Sequence, residues 1–153
     1  MTRKEKTKFI IKVTISHFVT YMICGMIAMP LFNYLDTLAG STAMISGDDL
    51  MAKAALVPLC QILRGVLFGI VLLLIKDAFI DKKLGWLRLW IIILILSFFN
   101  TPAPSPGSIE GFLYLAPATE PLLFQIGGNL EIFVQTLLFS ILVTFRRPKK
   151  STQ

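Results

Sequence analysis

Four long apolar stretches, separated by short polar connections, dominate the pattern of the chain. They cover about residues 10–33, 54–76, 85–100 and 121–145. A helix needs about 20 mostly apolar residues to cross the hydrocarbon core of a bilayer, and three of the stretches are at least that long. The third has only about 16 residues, but Trp86 and Trp90 supply the aromatic anchors of a spanning helix. The pattern therefore predicts four transmembrane helices.

The distribution of Lys and Arg predicts the orientation of these helices. The connection over 34–53 contains one basic residue, Lys53, and the connection over 101–120 contains none. Basic residues instead occupy the N-terminal segment, the connection over 77–84 with its flanks, and the C-terminal tail. Segments rich in Lys and Arg stay in the cytoplasm. We therefore expect external loops over 34–53 and 101–120, with both termini cytoplasmic.

The composition agrees with an all-α integral membrane protein. Hydrophobic residues make up 55% of the chain and charged residues 16%, which is more apolar surface than a soluble domain of this size can bury. Lipid permits only helices or closed barrels, and the alternating ten-residue pattern of barrel strands does not appear. We predict a four-transmembrane-helix bundle that forms one membrane domain over residues 1–153, in a plasma membrane of the bacterial inner-membrane type.

The net charge of +6 does not indicate nucleic-acid binding. The basic residues cluster next to the apolar stretches, where they set orientation and attract anionic lipid head groups. The expected partners are membrane lipids and either a second copy of the chain or another membrane subunit. Cys24 and Cys60 lack metal or redox spacing, and His17 is the single histidine, so we predict no metal and no cofactor.

Two charged residues lie deep inside the apolar stretches. Arg64 is about ten residues into the second stretch, and Glu131 is about ten residues into the fourth. An arginine in mid-membrane costs at least about 2.5 kcal/mol and therefore needs a partner. The second and fourth helices run in the same direction, so the two residues have similar depths. A buried ion pair is available to them if these helices touch.

Helical periodicity gathers further polar residues around the two charges. Gln61 shares a face with Arg64, and Gln135 shares a face with Glu131. The same face of the second helix carries a GxxxG pattern over 65–69, which allows another helix to approach closely. This arrangement predicts that the polar groups lie at a helix interface and not in lipid.

Three more polar residues complete the predicted ligand-binding site. His17 shares a face of the first helix with Tyr21, and it is either a hydrogen-bonded packing residue or a proton relay with Glu131. Asn100 and Glu110 lie near the outer ends of the helices. They either form the mouth of the site or are solvated loop residues.

Three functional classes remain open on this pattern. The leading hypothesis is a site at Arg64 and Glu131 that opens to the external side and binds or transports a small polar or anionic ligand, a proton or a lipid head group. The alternative is a non-catalytic subunit or assembly partner, in which the buried charges specify the partner helix. The third is a lipid-modifying enzyme that uses Glu110 or Glu131 as a base. No nucleophile can be placed beside either base and no catalytic motif occurs, so we predict no catalytic residue.

Overall fold

The computed structural model describes residues 1–34, 56–101, 108–114 and 122–145, and these residues form helices and turns without a strand. The helices are α1 (Arg3–Leu31), α2 (Val57–Leu74), α3 (Gly85–Ile93), the short α4 (Ile109–Tyr114) and α5 (Leu122–Thr144). A 3-10 turn, Lys76–Ala78, follows α2, and a π-helical turn, Leu94–Phe99, continues α3. The predicted all-α class is therefore confirmed.

Three of these helices, α1, α2 and α5, are long and apolar enough to cross a membrane. The apolar segment Gly85–Phe99, which comprises α3 and its π turn, is shorter. Large apolar side chains are exposed along all of these helices, and Leu63, Leu67 and Leu130 are examples. Such a surface suits contact with lipid, since lipid tails are as apolar as the side chains themselves.

The first helix begins at Arg3, before the apolar stretch that predicts it. The Thr2 hydroxyl accepts a hydrogen bond from the Glu5 backbone N–H at 3.3 Å, and the Thr2 backbone N–H donates to the Glu5 carboxylate at 2.7 Å. This reciprocal arrangement satisfies two backbone donors at the helix start. A capping box thus extends α1 into the basic N-terminal segment.

The turn before α3 requires a glycine. Leu84 adopts a left-handed conformation with φ of 56°, and Gly85 follows it against the Phe79 carbonyl. A Cβ atom on Gly85 would lie 2.0 Å from that carbonyl oxygen, so no other residue fits without moving the backbone. Gly85 therefore sets the angle at which the chain enters α3.

The helix α1 lies between α2 and α5 and packs on both. On the α2 side, a Cβ atom built on Gly65 would lie 2.9 Å from the Cα atom of Thr14. A Cβ atom built on Gly69 would lie 2.9 Å from a side-chain carbon of Ile10. Residue numbers rise along α2 as they fall along α1, so the two helices are antiparallel and their backbones approach closely at the two glycines.

The end of α5 lies beside the start of α1. The Lys12 ammonium donates hydrogen bonds of 2.7 Å to the carbonyl oxygens of Val143 and Phe145. These carbonyls belong to the last turn and the end of α5, where a positive charge also favours the helix dipole. Consequently α5, like α2, runs antiparallel to α1. We call this end of the molecule the basal end and the opposite end the distal end.

The helix α3 packs on α5 and runs antiparallel to it. The Trp90 indole N–H lies 3.2 Å from the hydroxyl oxygen of Thr136, to which it donates. Further along the chain, the Phe98 ring contacts the Phe133 ring, with centroids 5.3 Å apart. Residue numbers again rise on one helix as they fall on the other. The direction of α3 is therefore that of α1.

A buried hydrophobic core fills the basal half of the molecule. Its members come from every long helix and from the turn after α2: Val13, Leu72, Phe79, Leu89, Ile93, Phe139 and Val143. Two buried hydroxyls next to this core bond to carbonyls one turn back in their own helices: Thr20 donates to Ser16 at 2.9 Å, and Ser140 donates to Thr136 at 2.8 Å. These bonds satisfy both donors inside the apolar interior.

Candidate functional site

A cavity of about 610 Å³ lies above the core, between α1, α2, α3 and α5. Each helix contributes side chains to its wall, and Tyr34, just beyond α1, contributes another. Ile93 and Phe139 belong both to the core and to the wall, so the core forms the cavity floor. The volume is in the range that holds small-molecule ligands in proteins, about 300–1,000 Å³.

Four of the seven predicted site residues lie on the cavity wall. They are His17 on α1, Arg64 on α2, and Glu131 and Gln135 on α5. Gln61 lies behind the wall, where it contacts His17. Asn100 and Glu110 do not line the cavity: Asn100 is exposed at the end of the π turn, and Glu110 lies on α4. The cavity therefore brings together most of the residues predicted inside the membrane. The two residues predicted at the mouth of the site lie outside its wall.

Arg64 and Glu131 reach the same cavity without forming an ion pair. Both residues are described, and no salt bridge joins them. An ion pair required α2 and α5 to touch, whereas each of these helices packs extensively on α1. The side chain of Arg64 is exposed and that of Glu131 is half-buried. The two charges consequently face the cavity from different walls.

The Glu131 carboxylate occupies a space that Gly25 leaves open. One carboxylate oxygen lies 3.6 Å from the position of a Cβ atom on Gly25, which is an ordinary van der Waals distance. The carboxylate therefore rests against the backbone surface of α1. No glycine N–H is available to it there, because backbone donors inside a helix are bonded to carbonyls. Glu131 is thus placed by packing, with its oxygens available to a ligand.

Tyr34 was not among the predicted site residues. Its ring packs edge-on against Phe124, with centroids 5.1 Å apart, and its hydroxyl lies 3.8 Å from the Cβ position of Gly128. The hydroxyl also lies near the Glu131 carboxylate but does not meet hydrogen-bond geometry with it. Among the described side chains it is a buried polar atom without a partner. Such an atom is costly to leave unsatisfied, which marks it as a group for a ligand or water.

The conformation of Asn33 explains how Tyr34 reaches the cavity. Asn33 has a φ of 52°, which is the left-handed region that asparagine tolerates better than most residues. The chain therefore turns back at the end of α1 and carries Tyr34 over the bundle toward α5. An asparagine directly after a helix, followed by an aromatic residue, is the signal from which this could have been predicted.

His17 is held in place by Gln61. The His17 Nε2 atom lies 3.1 Å from the side-chain oxygen of Gln61, and both residues are buried. An amide oxygen accepts hydrogen bonds only, so Nε2 donates this bond. The ring also packs near Phe68, with centroids 5.2 Å apart, and near Phe139. His17 therefore presents a fixed ring to the cavity floor.

The π-helical turn adds two features that the sequence pattern does not reveal. The Asn100 backbone N–H donates to the Ile95 carbonyl at 2.9 Å, which is the five-residue spacing of a π helix. Ser97 in this turn lies on the cavity wall, and its hydroxyl donates to the Ile93 carbonyl. Isolated π turns occur often at functional sites because they redirect side chains. Here the turn faces Ser97 toward the cavity.

The arrangement offers binding chemistry. Among the described residues, no group of three or more His, Cys, Asp or Glu side chains is placed to hold a metal ion. The wall instead supplies a guanidinium, a carboxylate, an amide, an imidazole and hydroxyls, set in aromatic and aliphatic surroundings. A few converging polar groups in an apolar pocket are typical of a site for a small ligand. No protein-family model matches the chain, and comparisons with curated proteins and with solved structures give no match.

Proposed function

We propose that the chain crosses a bacterial-type inner membrane four times, with both termini in the cytoplasm. The directions of the helices support this. Since α2 and α5 both run antiparallel to α1, the chain must return across the molecule between them, and α3 runs in the returning direction. The basic segments near the basal end would then face the cytoplasm, as Lys and Arg do in short loops.

We propose that the function of this membrane protein is to bind, and in a transport cycle to move, a small polar or anionic ligand in the cavity. The observation that carries the proposal is that Arg64 and Glu131 line one cavity without pairing with each other. A charged side chain inside a membrane costs free energy. Such residues usually form ion pairs, line the path of an ion or bind a ligand. A ligand that contacts these groups would offset part of that cost.

Each polar residue of the wall would contact the ligand according to its own chemistry. Arg64 supplies a permanent positive charge with a planar fork of donors, which suits carboxylate or phosphate oxygens. Glu131 supplies an acceptor or exchanges a proton, and Gln135 orients the ligand by hydrogen bonds. The core closes the basal end below His17, so the ligand would enter from the distal side, where Tyr34 and Phe124 line the wall.

Access to the cavity can be tested with cysteine labelling. In a variant whose native Cys24 and Cys60 are replaced by alanine, Ser97→Cys would react with a membrane-impermeant methanethiosulfonate added outside intact cells, because that reagent needs a thiolate in water. Ile95→Cys is a matched control, since it is in the same π turn but is exposed on the apolar surface and absent from the wall. Equal labelling at both positions, or labelling of Ser97→Cys from the cytoplasmic side alone, would contradict a cavity that opens outward.

Binding can be tested on the purified protein in detergent. Inorganic phosphate, small carboxylates and amino acids serve as probes, and a bound probe at a hundred times its Kd stabilises the folded state by about 2.7 kcal/mol. That stabilisation would raise the midpoint of thermal unfolding by about 5–10 °C. Arg64→Met should reduce the shift by about half or more, because tenfold weaker binding at the same probe concentration leaves only about 1.4 kcal/mol of stabilisation. A shift that this substitution does not change would place binding elsewhere.

The assembly hypothesis remains a second proposal. Glycine faces could serve an assembly role by binding helices of another subunit, yet Gly65 and Gly69 approach α1. Gly127 also contacts a residue of its own chain, the Phe32 ring. The glycines are therefore used inside the molecule, which favours the ligand hypothesis. A larger complex that co-purifies with the chain, and that forms only while Arg64 and Glu131 are present, would support assembly instead.

A further inference from the structure

We infer that the ligand of this cavity is zwitterionic, with an anionic group that binds Arg64 and an ammonium group that binds Glu131. The inference rests on the proposed function, since it names the class of ligand that the cavity takes. A ligand with this charge pattern can come from two sources. The zwitterion is either the head group of a lipid such as phosphatidylethanolamine or a free molecule of the same charge pattern.

The first support is the separation of two opposite charges on one cavity. Arg64 comes from α2 and Glu131 from α5, with α1 packed between those helices, and no salt bridge joins the two side chains. A guanidinium stays protonated at any physiological pH, so the positive charge is fixed. The cavity therefore presents a positive wall and a negative wall with ligand-sized space between them.

The second support is the balance of charge in a medium of low dielectric. An anion bound to Arg64 would leave the Glu131 carboxylate without a countercharge, and a cation bound to Glu131 would leave Arg64 in the same state. Unpaired charges in such surroundings are strongly disfavoured. A molecule that carries both signs compensates both residues at once and adds no net charge to the membrane interior.

The third support is the surroundings of Glu131. The rings of Tyr34 and Phe124 pack against each other on the cavity wall, and the Tyr34 hydroxyl lies near the carboxylate. Aromatic faces attract ammonium groups, and the unsatisfied hydroxyl oxygen is a further acceptor. The end of the cavity that holds Glu131 therefore has the composition of a cation site, whereas a guanidinium fork at the other wall suits phosphate or carboxylate oxygens.

The test compares a zwitterion with its two halves. The full chain, purified in a non-ionic detergent, is titrated with O-phosphoethanolamine, with inorganic phosphate and with ethanolamine, and binding is followed by calorimetry. We expect the zwitterion to bind at least about tenfold more tightly than either half, because each half compensates one charge and leaves the other. A second arm places the protein in nanodiscs of phosphatidylglycerol with or without phosphatidylethanolamine. Competition by the lipid would identify a head group as the source, and no competition would identify the free molecule.

Substitutions at Arg64 and Glu131 test which end of the ligand each residue binds. Arg64→Met should reduce zwitterion affinity at least about tenfold and leave ethanolamine binding unchanged, whereas Glu131→Gln should spare phosphate binding. Arg64→Lys and Glu131→Asp keep the charges and should recover part of the affinity, which separates loss of charge from loss of fold. Arg88→Met is the matched control, since Arg88 is an exposed arginine of α3 that does not line the cavity.

The outcomes separate the inference from the function on which it rests. Phosphate that binds as tightly as O-phosphoethanolamine, with no effect of Glu131→Gln, would overturn the zwitterion and leave an anion-binding protein. Binding of none of the probes in either arm would also overturn it, while external labelling of Ser97→Cys would keep the open cavity of the proposed function. Failure of that labelling would refute the proposed function itself.

Discussion

The close approach of α1 and α2 predicts opposite effects for the same substitution at two glycines. In Gly65→Ala the new methyl group would lie 2.9 Å from the Cα atom of Thr14, so the backbone of α1 would have to move. In Gly25→Ala the nearest atom is a flexible carboxylate oxygen at 3.6 Å, and nothing has to move. The pair therefore isolates the steric contribution from the change in helix propensity.

The magnitudes follow from these distances. Overpacking typically costs about 1–3 kcal/mol, and a contact with backbone belongs in the upper part of that range. Replacing glycine by alanine inside a helix stabilises the folded state by about 1 kcal/mol through the higher helix propensity of alanine. The expected net loss for Gly65→Ala is about 1–2 kcal/mol, and Gly25→Ala should be neutral or gain up to about 1 kcal/mol.

Circular dichroism during thermal unfolding, in one detergent, measures both variants. Gly65→Ala should lower the midpoint by about 2–8 °C, and Gly25→Ala should leave it unchanged or raise it. Adding Thr14→Ala should not rescue Gly65→Ala fully, because the nearest atom is the Cα that alanine keeps. Equal shifts for the two glycine variants would refute the packing of Gly65 on α1.

Three further predictions concern other contacts and the topology. Lys12→Met removes the hydrogen bonds to the last turn of α5, so we expect a loss of about 1–2 kcal/mol and faster hydrogen exchange confined to that end of the helix. Trp90→Phe keeps the packing of α3 on α5 but removes its indole hydrogen bond, which should cost about 1 kcal/mol in thermal unfolding. A reporter fused at residue 80 should score cytoplasmic and one at residue 106 external, and a cytoplasmic score at both positions would reject four spans.

The existence of the long helices was predictable because lipid leaves the backbone few alternatives. A chain segment in hydrocarbon must satisfy its own hydrogen bonds, so an apolar stretch of sufficient length becomes a helix. The helices α2 and α5 accordingly follow the predicted stretches closely, and α1 covers most of the first stretch. The early start of α1 was also encoded, since Thr2 and Glu5 have the spacing of a capping box.

The partner of each helix face was not predictable from periodicity. Gln61, Arg64, Gly65 and Gly69 fall in one sector of α2, and an ion pair with Glu131 required this sector to meet the helix that carries it. In the structure the two glycines meet α1, whereas Arg64 lines the cavity. Periodicity specifies which residues share a face, but the neighbour of that face depends on how all helices pack together. Arg64 and Glu131 therefore line the same cavity without forming an ion pair.

In the proposed four-span topology, the short apolar segment formed by α3 and its π turn has a consequence for the surrounding bilayer. Its 15 residues extend about 22 Å at the α-helical rise, about 8 Å less than a typical hydrocarbon core. A helix that is too short thins the adjacent bilayer or draws flanking polar groups inward, at a cost that rises with the difference in length. Lipids with shorter acyl chains should therefore gather along α3, and the depth at which the cavity meets bulk water should vary with membrane thickness.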